Sequence, residues 1–195
     1  MIVLEGIDGA GKSTQALLLM EKLQAGGYDV VCFREPTEGK WGREIKRKAQ
    51  HPDSLTPEQE LELFQKDRRE NVRKNLKPAL SKRKIVILDR YYYSTIAYQG
   101  AKGIDENLIR KMNKEFVIEP DLVFILDVDP QKGLGRIKNR RSKDRLFERE
   151  EYLVKVREKF NNFRGGHFVH IDALKPVDVI HREIEEKVLN YIYSL

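Results

Sequence analysis

The sequence predicts an α/β fold, a doubly wound, five-stranded parallel sheet with helices on both faces. Three observations carry that expectation. Short, continuously apolar runs alternate with helical patterns along the 195 residues, the pattern of strands buried on both sides. The first run, Ile2–Glu5, passes through a glycine-rich turn straight into an apolar helical pattern, as phosphate-binding strand–turn–helix units do. Polar residues gather just after the runs, at 34–36, 89–91 and Asp172, where open α/β sheets bind ligands. The length suits one domain, 1–195, with a core of ordinary size.

Each element has a local cause. After the turn, Ala16, Leu17, Leu19, Met20 and Leu23 repeat with helical spacing until Gly26 and Gly27 stop the helix. Residues 30–33 read as a second buried strand, which Pro36 keeps from continuing. A short helix is expected around 41–49. Thr56-Pro57-Glu58-Gln59 is a capping box with proline at the first helical position. Leu61, Leu63, Phe64 and Val72 carry that helix on to an end near Pro78. Residues 85–88 form the third strand, a helix spans 94–99, and a loop follows at 100–103. Asp105 caps a further helix running toward Pro120. Residues 122–126 form the fourth strand, and Pro130 opens the next helix. Another helix covers roughly 152–163 and stops at Gly165-Gly166. Residues 168–171 form the last strand. Pro176 begins a C-terminal helix with the apolar stripe Val177, Ile180, Ile184, Val188 and Ile192.

Charged residues make up 35% of the chain, against about 25% in ordinary domains. Lysine, arginine and glutamate dominate, a balance that hyperthermophile proteins favour. The net charge of +6 suits polyanionic partners, either nucleotides or nucleic acid. Between residues 136 and 149, seven basic side chains face two acidic ones. This segment, with Arg136, Arg140 and Arg145, is expected to be a mobile helical lid that closes over a triphosphate and excludes water, the alternative being a solvated charged surface. No aromatic interleaves the cluster before Phe147, so stacking on nucleic acid has little support. No apolar run reaches the ~18 residues that span a membrane. The first strand leaves no room for a signal peptide, so none is expected. The single Cys32 points to reduced, cytoplasmic surroundings.

The glycine-rich turn holds G-x-x-x-x-G-K-[ST], with Gly6, Gly11, Lys12 and Ser13 in the fixed places. The glycines let the backbone curl, so that successive N–H groups from Asp8, Gly9 and Ala10 to Thr14 can point at phosphate oxygens. The helix beginning near Lys12 adds its positive end. Lys12 supplies a point charge for the β- and γ-phosphates, and Ser13 a hydroxyl for Mg²⁺. Asp89 closes the third strand, where a carboxylate can organise that metal or its waters. The alternative is an acid that merely pairs Arg90. Arg90 itself sets a cation beside a transferring phosphate. A guanine reader of the N-K-x-D kind is missing. The nearest string, Asn113-Lys114-Glu115-Phe116, lacks the aspartate, which speaks against a GTPase.

Taken together, residues 6–14, Arg34-Glu35-Pro36, Leu63-Phe64 with Asp67-Arg68, Asp89-Arg90-Tyr91, Ala97-Tyr98-Gln99-Gly100 and Arg136…Arg140…Asp144-Arg145 give the chain its family likeness. It resembles the thymidylate kinases, P-loop nucleoside monophosphate kinases with a helical lid, over essentially its whole length. The resemblance implies ATP-dependent phosphorylation of dTMP to dTDP, with Mg²⁺, in a homodimer. It implies that Phe64 stacks on thymine, that Arg68 donates to the O4 edge, and that Thr95 and Gln99 contact the N3 side. Tyr98 matches the aromatic beneath the sugar that crowds out a 2′-hydroxyl. Asp8 and Glu35 match acids near the 3′-hydroxyl and the metal, and Arg90 matches the acceptor-phosphate arginine. Lys12, Arg136, Arg140 and Arg145 match the cations around the γ-phosphate. By pattern alone, Phe64 and Tyr98 also read as core residues, and Arg68 as the partner of Asp67 or a neighbouring acid.

Two positions depart from related enzymes. Lys46 stands where bacterial relatives carry an arginine for the acceptor phosphate, a point charge in place of a fork. Gly9 stands where eukaryotic-type enzymes place an arginine. The chain therefore resembles the bacterial type, in which the lid supplies the catalytic cation. Two other readings stay open: a kinase of the same fold acting on dUMP or thymidine, and a basic ATP-dependent nucleic-acid-binding module.

Overall fold

The computed structural model describes residues 1–51, 54–137 and 143–194, with side chains described for all of these except 143–149. Five parallel strands form one sheet: β1 (Ile2–Glu5), β2 (Val30–Arg34), β3 (Ile85–Asp89), β4 (Leu122–Asp127) and β5 (Phe168–Asp172). Their order is β2-β3-β1-β4-β5. The register pairs Leu4 with Asp89 on one side and with Phe124 on the other. The central runs are sealed from water, with Val3, Leu4, Ile87, Leu88, Phe124 and Ile125 fully buried. The expectation that β2 is buried in the same way is corrected. Only Val30 is buried, while Val31, Cys32 and Phe33 are half-exposed, because β2 lies at the sheet edge.

The helices are α1 (Lys12–Ala25), α2 (Lys40–Lys48), α3 (Pro57–Asn71), α4 (Lys77–Ser81), α5 (Tyr92–Ala101), α6 (Glu106–Lys114), α7 (Pro130–Arg136), α8 (Lys143–Asn161) and α9 (Val177–Tyr193). Their starts are chemically marked. The Thr56 hydroxyl accepts from the Gln59 N–H at 3.3 Å, and the Gln59 side chain accepts from the Thr56 N–H at 3.0 Å. Asp105 caps α6 and Asp129 caps α7 in the same sense. α1 packs on β1, β2, β3 and α9, whereas α5 packs on α8, which in turn lies on β4.

Four boundaries differ from the sequence pattern. Pro78 does not end the third helix. A π-helical turn, Val72–Leu76, intervenes, and α4 continues to Ser81. The widened turn makes room for a proline ring that would otherwise strike the carbonyl four residues back. The helix around 94–99 continues to Ala101 and takes up the start of the expected loop. α6 stops at Lys114, well short of Pro120. α8 begins at Lys143 rather than near 152, since its mostly charged first turns carry no apolar stripe. On α9, Ile180, Ile184 and Val188 are buried, but Val177 is exposed and Ile192 half-exposed.

The segment after β2 is held from below. Glu35–Pro36 is a cis peptide, and Asp67 receives both the Thr37 N–H, at 2.8 Å, and the Thr37 hydroxyl, at 2.6 Å. α2 presses on the same loop so closely that a Cβ on Gly42 would sit 1.9 Å from the Thr37 carbonyl oxygen. Overpacking against backbone typically costs ~1–3 kcal/mol. Gly42→Ala should therefore lower unfolding stability by about 2–3 kcal/mol, read as a lower urea midpoint at unchanged m-value. An unchanged midpoint would mean that the contact yields freely.

Candidate active site

The carboxyl ends of β1, β2 and β3 lie side by side, because the register sets Arg34 against Asp89 and Asp89 against Leu4. Glu5, Arg34-Glu35 and Asp89-Arg90 are thereby gathered next to the glycine-rich turn. In that turn Gly6, Gly9 and Gly11 have φ of 137°, 82° and 93°, a backbone path that side chains resist. α1 starts at Lys12, so its first N–H groups open onto the turn. The Lys12 ammonium is buried and donates to the Ile7 carbonyl at 2.7 Å. Burial, and then the charge of Arg90, push its pKa down to about 7, against the pull of Asp8, Asp89 and Glu5.

Ser13 Oγ donates to Asp89 Oδ2 at 2.5 Å, while Asp89 Oδ1 is buried with no hydrogen-bond partner. Among the described residues, the cation within ion-pairing distance of Asp89 is Arg34, at 3.6 Å, while Arg90 pairs Asp8, at 2.5 Å. The reading of Asp89 as a mere partner for Arg90 is thus set aside. A hydroxyl beside a carboxylate with an open lone pair is a hard-oxygen donor set that fits Mg²⁺. Among the described residues no group of three His, Cys, Asp or Glu side chains could hold a metal alone. An ion here would take its other ligands from phosphate oxygens and water, as Mg²⁺ usually does.

Arg90 has a positive φ of 72° and is held on several sides. Besides Asp8, it donates to the Gly6 carbonyl at 3.2 Å and to Ser94 Oγ at 3.1 Å, and lies 5.3 Å from the centre of the Tyr98 ring. Burial works against its charge, but Tyr98, Asp8, Glu5 and Asp89 outweigh it and raise the pKa. Beneath it lies Glu5, fully buried at the end of β1. One Glu5 oxygen accepts the N–H groups of Tyr91, at 2.8 Å, and Ser94, at 3.1 Å; the other accepts the Ser94 hydroxyl at 2.5 Å. Glu5 thus caps α5 from a neighbouring strand. Burial raises its pKa to about 7, with Ser94, Arg90 and Tyr91 pulling the other way.

A cavity of about 250 Å³ opens beside this cluster and gathers Asp8, Glu35, Phe64, Arg68, Arg90, Thr95, Tyr98 and Gln99 on its walls. Arg68 is 1% exposed. It donates to Glu35 at 2.7 Å, to Asn113 at 2.9 Å and to Thr95 at 2.9 Å, and Asn71 supports Glu35 at 3.0 Å. Its acid partner is therefore Glu35, since Asp67 serves Thr37. Burial raises the Glu35 pKa, opposed by Arg68 and Asn71. Phe64 and Tyr98 are half-buried on the wall rather than sealed in the core. Lys46 is not on this wall but ion-pairs Glu38.

A second cavity, about 360 Å³, touches Gly9, Ala10, Gly11 and Thr14. Arg136 lines it and donates to the Gly9 carbonyl at 3.3 Å and the Ala173 carbonyl at 2.9 Å. Arg140 and the Arg145 side chain lie outside the described residues, as do the rest of residues 138–142 and the other side chains of 143–149 in the expected lid.

Sequence reasoning missed several residues at the site. Glu5 and Ser94 carried one signal, an acid ending an apolar strand. Asn113, met only as part of a failed guanine reader, turns out to receive Arg68. Glu60, Lys102 and Tyr152 also line the first cavity, as does Arg34 of the Arg34-Glu35-Pro36 motif, which the sequence did single out. The Tyr152 hydroxyl donates to the Tyr98 carbonyl at 2.8 Å. No periodicity marks such partners.

Comparison with known proteins points to one family. The sequence model of a family described as thymidylate kinase matches residues 4–184. A probable thymidylate kinase of Archaeoglobus fulgidus is 43% identical over 192 residues, covering 98% of this chain and 96% of its own. The thymidylate kinase of Brachyspira hyodysenteriae is 41% identical, covering 98% of this chain and 92% of its own. That of Desulfotalea psychrophila is 42% identical, covering 94% and 91%.

The depressed pKa of Lys12 has a measurable consequence. Without ligand, the amine loses its proton as pH rises through about 7 rather than 10.5. A bound polyphosphate restores the charged form, so binding at pH 8 should take up roughly half to one proton. At pH 6 the amine is already charged and contributes little uptake. Calorimetry of nucleotide binding in buffers of different ionisation enthalpy reads this directly. Equal heats in all buffers at pH 8 would contradict it.

Proposed function

The chain belongs to the thymidylate kinase family, and on that premise we propose that it transfers the γ-phosphoryl group of ATP to dTMP, giving dTDP and ADP. One observation carries the reading: the cavity that begins at Phe64 and Arg68 ends at Asp8 and Arg90, against the phosphate loop. Two nucleotides can therefore meet phosphate to phosphate.

Phe64 stacks on thymine, Arg68 serves the O4 edge, and Thr95 and Gln99 meet the N3 side. Tyr98 underlies the sugar and leaves no space for a 2′-hydroxyl, and Asp8 and Glu35 attend the 3′-hydroxyl. Arg90 holds the acceptor phosphate. Its bonds to Asp8, Gly6 and Ser94 support that role, because a guanidinium fixed before binding has little to reorganise. Lys46 reaches that phosphate only by leaving Glu38, which suits a looser, water-mediated contact. Lys12 and Arg136 attend the γ-phosphate, and Arg140 and Arg145 join them from the segment 136–149 acting as a lid on the single domain.

The acceptor phosphate is anionic at neutral pH, so no strong general base is required. The chain's work is to hold the acceptor oxygen in line and to neutralise the equatorial oxygens. Ser13 and Asp89 would hold Mg²⁺, which supplies further charge neutralisation when bound. The enzyme works as a homodimer in the cytoplasm, with Cys32 as a reduced thiol. The family likeness supports the dimer, and the absence of a second cysteine supports the compartment.

Purified protein with ATP and Mg²⁺ should convert dTMP to dTDP, and prefer it to the ribonucleotide. Brisk use of dUMP or thymidine with none of dTMP would overturn the assignment. Lys12→Met and Arg90→Ala should each lower turnover by at least about a hundredfold while circular dichroism stays unchanged. Near-normal turnover in either variant removes its assigned role. Sedimentation should give twice the chain mass, and a monomer at all concentrations would refute the dimer.

A further inference from the structure

We infer that Glu60 is a positioning residue that fixes which way round the Gln99 amide stands, and thereby selects bases with a ring N–H over bases with a bare ring nitrogen. The inference rests on the reading of the first cavity as the dTMP site. Gln99 is 1% exposed on α5 and lines that cavity. Its Nε2 donates to Glu60 Oε2 at 2.8 Å, and the Lys102 ammonium donates to the same oxygen. Gln99 Oε1 is buried with no hydrogen-bond partner.

A carboxylate only accepts hydrogen bonds, so the amide atom facing Glu60 has to be the nitrogen. Turning the amide over would press Gln99 Oε1 against Glu60 Oε2, two acceptors in contact. The Lys102 charge at Oε2 strengthens that asymmetry. The remaining amide atom is then always an acceptor, left unsatisfied at a cost of ~1–3 kcal/mol. A donor on the ligand relieves that cost.

Thr95 lies one helical turn earlier, on the same face of α5. Its oxygen already accepts from Arg68 at 2.9 Å, which leaves its hydroxyl hydrogen free to donate. One face of α5 thus offers an acceptor at Gln99 and a donor at Thr95. Thymine presents the complementary pair, N3–H to Gln99 and, to the Thr95 hydroxyl standing beside Arg68, the O4 edge that Arg68 also serves. Cytosine presents a bare N3 and an exocyclic amine, opposite at both places.

Glu60→Gln tests this, because a glutamine at 60 can accept or donate and so releases the Gln99 amide to either orientation. The prediction is a KM for dTMP raised about tenfold, with kcat close to the parent value, since Glu60 has no place near the transferring group. The ratio of kcat/KM for dTMP over dCMP should fall at least about tenfold, with the melting temperature little changed. A Gln99→Leu variant run in parallel separates the two readings. If Gln99→Leu narrows the ratio while Glu60→Gln leaves it alone, the positioning role is wrong and the base site stands. Equal losses on both acceptors in Glu60→Gln also overturn it, as a general structural effect. If neither variant moves the ratio, the base-site reading falls too, and the inference with it.

Discussion

At the ends of β1 and β3, and one residue beyond β2, stand acids that the fold buries, and the arrangement of the site follows from keeping those acids partnered. Glu5, Glu35 and Asp89 are 0%, 3% and 3% exposed, and Arg68 is 1% exposed. Stranding one partner of a buried ion pair such as Glu35–Arg68 costs about 3–5 kcal/mol, and stripping a buried acid of its hydrogen-bond donors costs about 1–3 kcal/mol or more, so each acid dictates where its partner stands. Glu35 fixes Arg68, which ties the end of β2 to α3. Asp89 fixes Ser13, which ties β3 to the start of α1. Glu5 fixes Tyr91 and Ser94, which ties β1 to α5. Arg90 then joins Ser94 to Asp8 of the phosphate loop. These pairs act as pins between elements, and the side chains that face the cavity inherit their precision.

Pairing is incomplete at several buried side chains, and three of them belong to the candidate site. Lys12 has only a carbonyl for a partner and its pKa falls to about 7. Asp89 Oδ1 and Gln99 Oε1 have no hydrogen-bond partner. Arg68 is the opposite case, since each of its guanidinium nitrogens bonds an acceptor from the chain. The molecule therefore mixes groups that are finished before binding with groups that binding completes. Finished groups give shape and discrimination. Unfinished ones give affinity, because a partner arriving there removes a desolvation penalty already present.

Much of the frame was legible in the sequence because its causes are local. Parallel buried strands read as continuous apolar runs, the phosphate loop is a contiguous motif, and the caps at Thr56 and Asp105 lie within three residues of what they cap. What escaped depends on contacts between distant residues. The edge exposure of β2 is a property of strand order, not of Val31 or Phe33. Pro78 stays helical only because a π-turn precedes it. Arg68 reaches Glu35, Thr95 and Asn113, residues from three separate segments, and Glu60 meets Gln99 across 39 positions. Periodicity carries no record of such pairings. The cavity-facing positions of Phe64 and Tyr98 likewise came from the register of a family likeness, since an apolar residue on a helix looks the same whether it faces core or ligand.

The phosphate loop also limits where positive charge can come from. Gly9 has a φ of 82°, and a Cβ there would sit 2.1 Å from the Gly133 carbonyl oxygen; a Cβ on Gly133 would sit 2.7 Å from that of Asp8. Loop and α7 touch backbone to backbone, so no side chain can issue from position 9 while α7 stays where it is. The positive side chains on the wall of the second cavity are, among the described residues, Arg136 and Lys175. Arg136 stands at the end of α7 and already bonds the Gly9 carbonyl. The same close contact that bars a cation from the loop thus brings one to it from α7, and a displacement of that helix would move both at once.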